Sequence, residues 1–289
     1  MGVTRVRPAA VAGTFYPGEA ARLEALVEQL RSAAGEPVAL PGPLLGLLVP
    51  HAGLVYSGVV AAAAWELLAT DPPATVVLLG TDHFGIGGGI AAWDRGPWAT
   101  PAGEVETDED LATAIVGLGD PFRAERDAHL GEHSIEVQLP LLRRVAPATR
   151  IVALATAVGT GTEAVAAGAA LGRLLAGRRA GGQGMILAAS SDMAHYPAAA
   201  DAERVTDALL PAILARDAAR LAREEAALRW SGIPGLSCGM CGIEPAVVGL
   251  AALAAMGARA GTVVAAATSA DAGGPTGRTV GYLSVAFTG

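Results

Sequence analysis

The chain has 289 residues, of which 52% are hydrophobic and 17% charged, and a formal net charge of -8. That apolar share is too high for a disordered or fibrous chain and is enough to bury a sizeable core. The acidic balance excludes the clustered lysine and arginine face that nucleic acid demands, which leaves small molecules or proteins as partners.

The opening stretch MGVTRVRPAAVAGTFYP offers only AAVAG as an apolar run, so no secretory leader core is expected. Residues 19–32 read as a helix, because Leu23, Leu26, Val27 and Leu30 recur at helical spacing. From residue 44 onward, short apolar runs alternate with amphipathic stretches, which is the pattern of βαβ units around a mainly parallel, buried sheet. Strands are expected at 44–49, 75–79, 150–155 and 185–189. Helices are expected at 58–68, 108–117, 134–145, 163–175, 201–215 and 243–256, with Pro140 breaking or restarting the third of these. RRAGGQG (178–184) is a surface turn, too short to separate domains. Two closing strands, 261–268 and 279–287, are joined only by the link DAGGPTGR and so run antiparallel. The expectation is a single α/β domain over 1–289, with helices flanking a mainly parallel central sheet. The longest apolar run, 246–258, is shorter than the roughly 18 residues a membrane helix needs, so a cytoplasmic protein is expected. Its only cysteines, Cys238 and Cys241, form one C-x-x-C, which cannot be a disulfide framework and in a reducing compartment points to metal or redox work.

Of the five histidines, His51 follows the strand LLGLLV, His83 follows TVVLLGT, and His195 with Asp192 follows MILAAS. The carboxyl ends of strands line the ligand crevice of an open α/β sheet, so these residues converge in space. A lone histidine is more often a satisfied core or surface residue, but three at equivalent positions favour a metal or acid–base site. Cys241 precedes the helix that starts near Ile243, a place where a thiol is stabilised as thiolate. Two imidazoles and a thiolate with an open position suit Fe, Cu or Zn. Cys238 is a second ligand, a redox partner or a small buried residue; the last is favoured because no second C-x-x-C completes a structural zinc site. In GEHSIEVQLP a helix start explains Ser134 as N-cap and Glu136 in the first turn, but it leaves Glu132 and His133 to contact substrate or orient a ligand. Asp192 is expected to hold His195 in one tautomer, leaving it as general acid or base. Tyr56 and Tyr196 either donate hydrogen bonds into the cleft or pack beside it.

Taken in order, PHAGLVYSG, GTDHFG, EHSIEVQLP, SSDMAHY and CGIEP resemble the Memo family, also called AmmeMemoRadiSam system protein B. The opening RPAAVAGTFYPG and the closing RTVGYLSVAF extend the resemblance over essentially the whole chain. The family is similar to class III extradiol dioxygenases of the LigB type, which hold non-haem Fe(II) in an α/β cleft. The resemblance implies His51, His83 and Cys241 as metal ligands, His195 as catalytic base, and Asp192 and His133 as further cleft residues. It also implies Fe(II) before Cu or Zn, a small aromatic substrate with O2, and the company of an AMMECR1-type protein and a radical SAM protein. A peptide-binding role without catalysis and zinc-dependent hydrolysis are the competing expectations. Asp82, beside the second histidine, and Glu244, after the cysteine, depart from the family pattern and stand as alternative ligands.

Overall fold

In a computed structural model that describes residues 6–289, the run TVVLL and its neighbours are buried on both faces of one sheet; the first five residues of the expected domain lie outside the described range. In chain order the elements are α1 (Ala20–Ala34), β1 (Leu44–Val49), α2 (Leu54–Trp65), β2 (Thr75–Thr81), β3 (Gly89–Trp93), β4 (Trp98–Thr100), β5 (Gly103–Val105), α3 (Glu109–Val116), β6 (Phe122–Ala124), α4 (Asp127–Leu130) and α5 (Leu139–Val145). They continue as β7 (Arg150–Ala157), α6 (Thr162–Ala180), β8 (Met185–Ser190), α7 (Ala199–Ala215), α8 (Ala218–Arg229), α9 (Ile243–Ala255), β9 (Ala260–Thr268) and β10 (Gly281–Thr288).

Eight strands form one sheet in the order β6-β3-β7-β2-β8-β1-β10-β9, and β4 pairs with β5 in a separate ribbon. The centre, β7-β2-β8-β1, is parallel throughout. Beyond β1, strands β10 and β9 run antiparallel, as the short link between them requires. The fold is therefore a single-domain α/β arrangement with a mainly parallel central sheet. Strand pleating divides the core: Val76 and Leu78 of β2 enter the cluster under α1, α2 and α5, and Val77 and Leu79 enter the one under α6, α7 and α9. Helix α9 is apolar on nearly every side because it is buried between the sheet and α6.

Several elements differ from expectation. Helix α2 begins at Leu54, directly after the HAG turn, and residues Glu66–Leu68 follow it as a 3-10 turn. Residues Glu136–Gln138 form a 3-10 turn and α5 starts at Leu139, with Pro140 in its first turn where a missing N–H leaves no bond unmade. Strands β3 to β6 carried no alternation signal because three to five residues are too few to establish a period. Helix α8 carries no apolar periodicity in the sequence because most of its surface is polar and Glu225 sits among its few buried residues. Among the described residues, no helix is long and apolar enough to cross a membrane.

Candidate functional site

The parallel order β2-β8-β1 puts the carboxyl ends of three strands side by side, so the residues that follow them meet above one sheet edge. His51 follows β1, His83 follows β2, and Asp192 and His195 follow β8. Cys241 enters from the start of α9. Its approach depends on Gly242, where a Cβ would lie 2.3 Å from the Ser190 carbonyl oxygen. Gly80 plays the matching part in β2, where a Cβ would lie 2.5 Å from Ser134 Oγ and exclude the loop that carries His133.

The hydrogen bonds fix which imidazole nitrogen is presented to the site. Ser190 has one hydroxyl proton, and it goes to the Ser134 carbonyl at 2.8 Å. Ser190 Oγ already accepts from Gln138 Nε2 at 3.1 Å, so its 3.0 Å contact with His51 Nδ1 has the imidazole donating. His51 Nε2 is thereby left with its lone pair, 2.9 Å from Cys241 Sγ. His83 follows the same logic. Its Nδ1 lies 2.9 and 3.1 Å from the two oxygens of Glu132, and an ionised carboxylate only accepts, so Nε2 of His83 also faces outward as a lone pair. Donor atoms of His51, His83 and Cys241 all lie within 4.8 Å of one another. Two imidazoles, each with Nδ1 engaged, and a sulfur in that arrangement are a donor set that fits Fe, Cu or Zn. The groupings His83, Glu132, His133 and Asp192, His195, Cys241 are equally compact.

Glu132 is fully buried and accepts from the backbone N–H of His83, His133 and Ser134, each at 2.8 Å. Burial works against its charge, but His83 and these N–H donors hold its carboxyl well below the ordinary carboxylate range. Burial pushes His51 down to about 4 and lowers His133 as well, so both are neutral imidazoles at pH 7. The His83 and His133 rings stack at 4.6 Å, and Phe15 stands 4.6 Å from His133.

A cavity of about 600 Å³ opens over these groups, walled on its far side by Phe15, Tyr56, Tyr196, Pro275 and Tyr282. That size suits a small organic ligand. His195 Nε2 is buried without a hydrogen-bond partner, and the nearest oxygen of Asp192 stands 3.8 Å away.

Some residues do something other than what the sequence suggests. Asp192 does not hydrogen-bond His195 directly, since 3.8 Å exceeds bonding distance. Its Oδ1 instead accepts from the backbone N–H of His51 and Ala52 at 2.7 and 3.1 Å, fixing the turn that carries the first imidazole. Cys241 is not made a thiolate by the helix start; burial, with the Asp192 carboxylate adding to it, pushes its thiol well up. A cation bound at the site would offset that. Cys238 is half-buried, its thiol is pushed up to about 11 by burial, and its carbonyl accepts from His195 N–H at 3.0 Å. Neither alternative acid joins the donor cluster: Asp82 accepts from the N–H of Phe84 and Gly87, and Glu244 accepts from Val158 N–H. Ser134 is no N-cap, because its Oγ pairs with the Thr81 backbone. Glu136 does open the Glu136–Gln138 turn, but its carboxylate is turned into the core. It is buried in an ion pair with Arg7, and also accepts from Tyr16 and the N–H of Ala10 and Val11. Phe15, Ser190, Gln138 and Arg7 also build or support the site, and no local pattern in the sequence marks them.

A family model described as Memo-like protein matches residues 7–286. The chain is 37% identical over 287 residues to a MEMO1 family protein of Aquifex aeolicus, covering 98% of this chain and 99% of that protein. It is 35% identical over 289 residues to a MEMO1 family protein of Methanopyrus kandleri, covering 97% and 98% respectively. A third relative, from Methanocaldococcus jannaschii, is 32% identical over 297 residues with 98% and 99% covered.

Proposed function

This chain belongs to the Memo-like protein family, and on that footing we propose that it is a metal-dependent oxidoreductase, a non-haem Fe(II) oxygenase acting on a small aromatic substrate. The observation that carries the reading is the pairing of two imidazoles, each held with Nε2 as a lone pair, with a cysteine sulfur at the mouth of an aromatic-walled cavity. His51, His83 and Cys241 would hold the ion, and Fe(II) bound there with open positions supplies one-electron chemistry toward O2. A thiol in the set departs from the His and carboxylate sets of zinc hydrolases and supports redox chemistry over hydrolysis.

The protein's own groups divide the remaining work. Ser190 and Glu132 keep the two imidazoles in the tautomer that presents Nε2. Aromatic side chains stack a flat substrate and exclude water from it. His195, with Nε2 unpartnered at the cavity wall, takes a proton from a substrate hydroxyl and returns it later. Asp192 sets its carboxylate 3.8 Å from that nitrogen, where its negative charge favours the protonated imidazole during the transfer.

Anaerobically prepared protein is expected to bind Fe(II) stoichiometrically and to consume O2 with an aromatic substrate panel. His51→Ala, His83→Ala and Cys241→Ser lose the metal, and His195→Ala keeps it while losing turnover. Wild-type protein that takes up no metal sinks the reading; metal binding without turnover on any panel member moves it toward a ligand-binding role. Glu132→Gln is expected to weaken metal binding by about 10–100-fold, since it removes the charge that orients His83 and raises its basicity. Competition against a chelator measures this, and an unchanged affinity removes Glu132 from the assignment.

A further inference from the structure

One cationic side chain, Arg278, packs against a wall residue of the cavity and has no role so far. Arg278 lies in the link between β9 and β10, is exposed, and has no ion-pair or hydrogen-bond partner among the described residues. Its guanidinium carbon stands 4.3 Å above the centre of the Tyr196 ring, and Tyr196 is part of the cavity wall. Pro275 and Val280, on either side of Arg278 in the chain, line the same cavity.

The backbone around Arg278 is held in place. Thr279 N–H donates to the Pro197 carbonyl at 2.8 Å, and the Thr279 carbonyl accepts from Tyr196 N–H at 2.6 Å. Val280 N–H donates to Ser269 Oγ at 3.0 Å and its carbonyl accepts from Ser269 N–H at 2.8 Å. Tyr196 itself adopts a left-handed backbone with φ 73°, a conformation a large side chain takes only when its surroundings impose it. That conformation aims the ring under the guanidinium. Asp271, an acid on the same link, is occupied by the N–H and hydroxyl of Thr268 and does not neutralise the arginine.

A planar guanidinium keeps its fork of N–H donors free while its face rests on an aromatic ring. Asp192 is the carboxylate that lines the inner part of the cavity, while Arg278 adjoins its Tyr196 wall, so a ligand whose ring enters the cavity can direct an anionic edge group outward to the guanidinium. We propose that Arg278 is a specificity-determining residue that selects small aromatic acids, pairing with a carboxylate on the ring edge that points out of the cavity. This rests on the reading of the cavity as the substrate site, but not on the identity of the metal.

The test is equilibrium binding, by tyrosine fluorescence or calorimetry at pH 7 and low salt, of 4-hydroxybenzoate against its neutral analogue 4-hydroxybenzamide. Wild-type protein is expected to prefer the acid by about tenfold, which corresponds to about 1.4 kcal/mol. Arg278→Gln is expected to bind the amide as before and to lose the preference; Arg278→Lys restores part of it, because charge remains but the fork is lost. Equal affinities in wild type, no binding of either probe, or an undiminished preference in Arg278→Gln each overturn the proposal. Metal content of both variants equals that of wild type. Failure of the metal assignment would appear as metal-free wild-type protein that still discriminates the two probes, so the two failures are distinct.

Discussion

Arg7→Met is expected to cost about 3–5 kcal/mol of folding stability, the range for removing one partner of a buried ion pair. Arg7 has no exposed surface, and besides Glu136 its guanidinium serves the carbonyls of His129, Glu132 and Pro8. Its face lies 4.4 Å from the centre of the Trp98 ring, so methionine replaces the packing but none of the donors. Glu136 is then left charged in the core with only Tyr16 and two backbone N–H groups around it. Urea unfolding followed by circular dichroism measures the loss. Adding Glu136→Gln to Arg7→Met recovers part of it, because the buried charge is removed. A drop below about 1 kcal/mol, the level of an ordinary surface pair, refutes the buried-pair account.

Acidification gives the second large effect. Burial pushes both His51 and His129 from 6.5 down to about 4. Between those values the unfolded chain takes up protons that the folded chain refuses, so stability falls as pH drops from 6.5 toward 4 and is unaffected by these groups above 6.5. Each residue accounts for about 3 kcal/mol once pH lies below both values, and the pair for about 5 kcal/mol at pH 4.5. Metal-free protein unfolded with urea at pH 7 and at pH 4.5 should show that difference. His129→Gln, which keeps a donor for the Ala91 carbonyl, should show about half of it. A pH-independent midpoint over this range contradicts the buried, neutral assignment of both imidazoles.

How much of this was legible beforehand depends on the distance over which each residue acts. His51, His83 and His195 could be placed at one crevice because strand burial leaves a local mark, the continuous apolar run, and parallel topology does the rest. Cys241 could be placed by the apolar helix that follows it, but not its protonation state, which is set by burial and by Asp192, 49 residues away in sequence. In GEHSIEVQLP the turn at Glu136 and the cleft positions of Glu132 and His133 follow the local pattern, but the partners of Ser134 and Glu136 do not. Ser134 and Glu136 have side chains that suit a helix start, and local pattern offers no hint that one binds Thr81 and the other Arg7. Gln138 is the plainest case: it donates to the Pro50 carbonyl and Ser190 and accepts from Trp65, three elements of the fold that no local window connects. Arg7 and Phe15 stood in an opening segment without periodic pattern, so nothing in composition marked one as a buried tie and the other as a cavity wall.

The His51 and Cys241 side chains that touch above β1 and β8 are 190 residues apart in the chain. A contact of such high order forms only after the intervening strands have zipped into register. During synthesis, the ribosome must therefore deliver the start of α9 before the cluster is complete, and a chain interrupted ahead of Cys241 carries the imidazoles without their sulfur partner. Assembly of the cluster thus reports that β1, β2 and β8 have paired and that the start of α9 has docked on them, and premature loading of a partly made chain is disfavoured by topology alone.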